Sequence, residues 1–154
     1  MYTLGHVGAA LLVSAPIAGT LTALGNPQIA TLTLAVAVAC SMLPDVDEWL
    51  PITHRGPTHT VWFVGVVGSV IFGLGAVSPL TVSDAAILGA TATLSVLSHL
   101  LGDSITPMGI APFRPLWEFH HSFDIVPSKD GRANLALFWL GIVVAGAGQI
   151  PGVL

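Results

Sequence analysis

Residues 84–103 read DAAILGATATLSVLSHLLGD. Between the two flanking aspartates the only other titratable side chain is His99. A run of ~20 mostly apolar residues is what a helix needs to cross the hydrocarbon layer. At its end His99 and Asp103 stand four positions apart, which puts imidazole and carboxylate on one helical face. Thr91 and Ser95 continue that stripe, so this face is expected to look into a bundle or a wet cavity and not at lipid.

The rest of the chain repeats the pattern. Further apolar stretches cover residues 4–24, 27–44, 58–78 and 134–154, which with residues 84–101 makes five expected spans. Gly25-Asn26-Pro27 reads as a turn, Ser78-Pro79 as a stop, and Ser83 with Asp84 as a cap for the fourth span. The fold class expected is therefore all-α: a polytopic membrane bundle of about five transmembrane helices. Residues 1–154 are read as a single membrane-embedded helical domain. Small residues such as Gly65, Gly68, Gly89 and Ala92 let its helices approach closely, and an oligomer is compatible with the same composition.

Composition agrees. Of the 154 residues 53% are hydrophobic and 8% charged, with mean hydropathy +0.85, whereas soluble domains carry roughly a quarter charged residues. Eight acids against four bases leave too few cations to track a phosphate backbone, so nucleic-acid binding is not expected. One cysteine, Cys40, excludes an intrachain disulfide and a thiolate metal motif. The N-terminus lacks a basic region and is read as a retained first helix.

With five spans, the loops at residues 45–57 and 102–133 share a face with the N-terminus. On that face fall all six histidines (His6, His54, His59, His99, His120, His121), all four bases and every acid except Asp84. The bases place it in the cytoplasm by the positive-inside rule, so a multi-pass protein of the cell (inner) membrane is expected. Asp45, Asp47 and Glu48 follow the second span; negative charge at a helix C-terminus costs roughly 0.3–1 kcal/mol, which a bound cation would reverse. In an extended loop Asp45 and Asp47 would point to similar sides. Thr58 is expected to cap the third span, with His59 in its first turn kept neutral by the helix N-terminus. His6 lies inside the first span and needs a partner.

Imidazoles with carboxylates and no thiolate suit a divalent metal, Zn first, with Mn, Fe or Mg as alternatives, as one ion or two. The first expected ligands are Asp45, His59, His99 and Asp103, then His6 and Asp47, with Asp103 the bridge for a second ion. His54 is the expected acid or base and Arg55 the expected oxyanion clamp. Each feature has a plainer explanation: a snorkelling His99–Asp103 pair, a solvated acidic turn, and Arg55 neutralising Asp47 or Glu48. The segment 113–123 is expected to lie along the interface as a short amphipathic piece.

The order His6, Leu43-Pro44-Asp45-x-Asp47, His54-Arg55-Gly56-x-Thr58-His59, then His99-x-x-x-Asp103-x-x-Thr106-x-x-Gly109 with Pro112-Phe113 resembles the membrane-bound predicted metal-dependent hydrolases of the YdjM/YbcI type, over roughly residues 1–115. The early His, Pro-Asp turn and His-x-x-x-Asp are more distantly similar to zinc-dependent phospholipase C. The first resemblance implies a metal-dependent hydrolase; the second implies a phosphoester, as in a phospholipid or lipid-linked substrate, as the bond attacked. The competing reading is a non-enzymatic membrane protein, a metal carrier or structural subunit, using the same cluster for metal binding or helix packing.

Overall fold

The computed structural model describes residues 1–150 and contains five α-helices: α1 (Thr3–Ala23), α2 (Pro27–Ser41), α3 (Val61–Ala76), α4 (Val82–Ser104) and α5 (Gly131–Gly148). Among the described residues there is no strand, only an isolated antiparallel bridge between Ile110 and His121. Each helix matches one of the five expected spans. The final residues of the fifth, 151–154, lie outside the described residues.

Lengths separate the helices into two groups. α1, α4 and α5, with 21, 23 and 18 residues, are long and apolar enough to cross a membrane. α2 and α3, with 15 and 16 residues, reach only about 22–24 Å at ~1.5 Å per residue, against a hydrocarbon core of ~30 Å. Two 3-10 turns, Pro44–Trp49 after α2 and Pro57–His59 before α3, carry much of the chemistry.

Three local expectations are corrected around the helix ends. Residues 44–49 are wound and not extended, so Asp45 meets Nε2 of His59 and of His99 while Asp47 meets His59 from its Nδ1 side. Thr58 does not cap α3; Thr60 does, its hydroxyl accepting from the Phe63 amide, because Pro57 starts a separate turn. α4 begins earlier than expected, since Thr81 and Asp84 form a reciprocal capping box in place of Ser83. The segment 113–123 contains no helix and runs as an irregular strap, pinned by the Ile110–His121 bridge.

α1 packs on α5, α2 and α4, and α4 packs in turn on α2 and α3. α1 and α4 therefore form the centre. Both bury small or branched side chains, Ala10, Ala15 and Ala18 on α1 and Ala92 and Val96 on α4, which permits close approach. Thr91 and Ser95 are fully buried, as the stripe implied, and the Ser95 hydroxyl donates to the Ala37 carbonyl at 2.6 Å. Outward residues such as Val66, Leu74 and Val143 stay exposed and apolar.

Candidate metal centre

Four side chains meet at one end of the bundle. α4 supplies His99 and Asp103 from its last turns, and the two 3-10 turns supply Asp45 and His59. His59, His99 and Asp103 are buried, Asp45 nearly so, and each offers one ligand atom within 4.8 Å of all the others. His59 Nε2 lies 3.3 Å from Asp103 Oδ2 and 3.6 Å from Asp45 Oδ1. His99 Nε2 lies 3.3 Å from Asp45 Oδ1 and 3.6 Å from Asp103 Oδ2. Atoms ~2.1 Å from a common centre on a tetrahedron stand ~3.4 Å apart, the spacing these groups keep. A divalent ion could be held here.

The tautomers fit the same use. His99 Nδ1 is 2.7 Å from the Ser41 carbonyl, which can only accept, so Nδ1 carries the proton and donates it. The Thr58 hydroxyl donates its one proton to Asp47 Oδ2 at 2.8 Å, so its 3.1 Å contact with His59 Nδ1 has the imidazole donating. In both neutral rings Nε2 is left with a lone pair, buried and without a hydrogen-bond partner. Buried polar atoms are rarely unpaired without a reason. An outer acceptor fixing Nδ1 so that Nε2 can ligate is the usual arrangement behind a metal-bound imidazole.

Charge favours a cation. Burial opposes ionisation of Asp45, but the neighbouring His59 and His99 outweigh it and hold the carboxyl below its usual range. Burial likewise disfavours charge on His59, yet Asp103 and Asp45 overcome it and raise the imidazole above its ordinary pKa. This reverses the lowering expected from a helix N-terminus, because two carboxylates lie closer than any helix end. The carboxylates that favour a proton on His59 Nε2 would equally favour a cation in its place.

The remaining expected residues surround the four. His6 is fully buried and stacks on His99 at 3.5 Å between ring centroids, with Nε2 3.4 Å from Asp103 Oδ1. Both its nitrogens lack hydrogen-bond partners. Asp47 lies outside the group: Oδ1 meets His54 Nδ1 at 2.8 Å, and Oδ2 accepts from the Arg55 amide and Thr58. Burial works against its charge, but His54 and Thr58 keep it below the usual carboxylate range. His54 is half-exposed, with Nε2 3.9 Å from Glu48. Asp45, Glu48 and His54 form a second, more exposed trio, so the carboxylate common to both groups is Asp45, where the sequence suggested Asp103.

Arg55 is turned inward. Its guanidinium donates to Asp103 Oδ1 at 2.8 Å, and to Thr106 Oγ1 and the Gly109 carbonyl at 3.0 Å each. It neutralises neither Asp47 nor Glu48. The Met1 amino group also pairs with Asp103, a contact the sequence could not announce. Thr106 and Gly109 were legible only as motif positions. Gly109 has φ +60, and a Cβ there would run into the His121 backbone, so the Arg55 socket requires glycine. Glu118, His120, His121 and Asp124 sit on the strap away from the four; His120 bonds the Met108 carbonyl.

The YdjM inner membrane protein family matches residues 1–153, nearly the whole chain. The chain belongs to this family. No curated protein and no solved structure matches it. The YdjM description places the chain in the inner membrane and names no reaction.

Proposed function

We propose that this YdjM-family chain acts, as one membrane-embedded domain, as a metal-dependent hydrolase of a phosphoester in a phospholipid or lipid-linked substrate at the cytoplasmic membrane face. The observation that carries the reading is the pair of buried, unpartnered Nε2 atoms of His59 and His99 facing the Asp45 and Asp103 carboxylates. Without a cation these nitrogens meet the carboxylates only by taking up a proton, whereas a divalent ion would satisfy both nitrogens and both carboxylates at once.

Asp45, His59, His99 and Asp103 would hold the ion, zinc first by donor type and spacing, with His6 adjacent. Such an ion supplies Lewis acidity, lowering the pKa of a water towards ~7 and polarising a phosphoryl oxygen. The protein's own groups have distinct tasks. Asp47 orients His54 through Nδ1, which leaves His54 Nε2 at the open edge of the site, placed to take or give a proton. Arg55 holds Asp103 in position and offsets its charge, and so acts on the reaction through Asp103.

The test is release of phosphate, or of a phosphorylated headgroup, from a panel of phospholipids and polyprenyl phosphates by zinc-loaded protein. Chelator and Asp45→Asn should each abolish it, with Asp45→Asn also lowering bound zinc. Zinc-loaded protein that leaves the whole panel intact is a metal carrier or structural subunit.

A further inference from the structure

A cavity of about 760 Å³ lies beside the loop that carries the metal centre. One wall is Trp62, Phe63 and Val66 from the first turns of α3; the other is the strap, with Arg114 and Glu118 at its rim. The two walls are tied where the Val61 amide donates to the Pro112 carbonyl at 2.9 Å. Pro57 also lines the cavity, and the two residues after it are Thr58, which holds Asp47, and His59 of the cluster. The volume falls in the ~300–1,000 Å³ range of small-molecule sites.

We infer that this cavity binds an amphiphilic phosphate, its apolar chain along Trp62, Phe63 and Val66 and its phosphate on Arg114. The occupant must be apolar along α3, because that wall belongs to an apolar helix whose outward residues, Val66 at 58% exposure among them, face the lipid phase. It must be anionic at the loop end. Arg55, the other guanidinium beside this loop, is committed to Asp103, Thr106 and Gly109, whereas Arg114 is exposed and makes no ion pair among the described residues. A planar guanidinium with open donors matches phosphate oxygens. Glu118 in the same lining offsets part of the Arg114 charge, so the apolar chain carries most of the affinity and Arg114 the preference for an anionic head. The inference deepens the hydrolase reading and rests on it only for the direction in which the phosphate points.

Binding separates the two claims. Zinc-loaded protein in neutral detergent is titrated with decyl phosphate and with decanol, and bound zinc is measured in every variant. Arg114→Gln should weaken decyl phosphate about tenfold and leave decanol unchanged. Val66→Trp, which fills the cavity, should weaken both by a similar factor, and neither variant should lose zinc. Decyl phosphate binding that is untouched by Val66→Trp, or equally weakened for decanol by Arg114→Gln, overturns the inference. So does a wild-type dimer that Val66→Trp converts to monomer, since a second copy would then fill the cavity. Decyl phosphate binding as expected without hydrolysis of any phosphoester keeps the cavity and removes the hydrolase. Hydrolysis with unchanged affinity in both variants does the reverse.

Discussion

Asp47 sits two positions from Asp45, and the 3-10 turn rotates it to accept from His54, the Arg55 amide and Thr58. Asparagine has one acceptor oxygen and would face a donor with its amide, so Asp47→Asn should cost about 1–3 kcal/mol. The sign of the pH dependence follows from the direction of its shift. The folded pKa lies below the unfolded value of ~3.9, so the contribution is present above that pH and is lost as the pH falls through the folded pKa. Thermal melts of chelator-treated protein should show Asp47→Asn less stable near neutrality and closer to the wild type in acid. Equal midpoints at neutral pH would remove Asp47 from the framework of the loop. The legible part at this scale was the donor set: His99 and Asp103 follow from residue type and the i, i+4 rule, and Asp45 and His59 from the five-span parity that brings their loops to the same face. The inward turn of Arg55 depends on a backbone at φ +56, which no local pattern announces.

At the scale of elements, helix placement was legible because twenty-residue apolar runs have one solution in lipid, whereas the 3-10 turns were not, since their pairing partners are distant in sequence. α1, which carries His6 beside the metal centre, crosses α5 at close range. A Cβ on Gly8 would overlap the backbone of Leu137 and Phe138, and one on Gly141 would overlap the backbone of Gly8. Both collisions are with main chain, so the helices must part if either residue grows. His6 is on α1 two residues before Gly8, stacked on His99. Gly141→Leu should therefore weaken zinc binding without touching a ligand, and lower stability by about 1–3 kcal/mol. Gly65→Ala, where nothing lies within 4 Å, is the control and should leave both unchanged. Zinc affinity that is equal in Gly141→Leu and the wild type would show that His6 and the α1–α5 crossing do not support the site.

For the whole molecule, the parity of five spans predicts that the polar groups gather at one end, and the contacts agree. His6 near the start of α1, Ser41 at the end of α2, Thr60 at the start of α3, Asp103 near the end of α4 and Asn134 near the start of α5 are linked through the cluster and the loops around it. Asp84 stands apart, in the capping box at the opposite end of α4. Arg55, Arg114, Lys129 and Arg132 all lie at the cluster end. Because Arg55 is buried against Asp103, its position follows from the site and carries no topological information. That leaves Arg114, Lys129 and Arg132 as the bases that bear on which side this end faces. Leu116, 78% exposed on the strap, and Val82, 70% exposed at the start of α4, sit at opposite ends and touch none of the ligands. In cells, Leu116→Cys should react with a thiol reagent only after the inner membrane is made permeable, and Val82→Cys should react without that step. Cys40, 2% exposed, should stay silent in both backgrounds. If both engineered cysteines react from the same side, α4 does not cross the membrane. If they react from opposite sides with Leu116→Cys outward, the cluster faces the periplasm, and a cytoplasmic-leaflet substrate is ruled out.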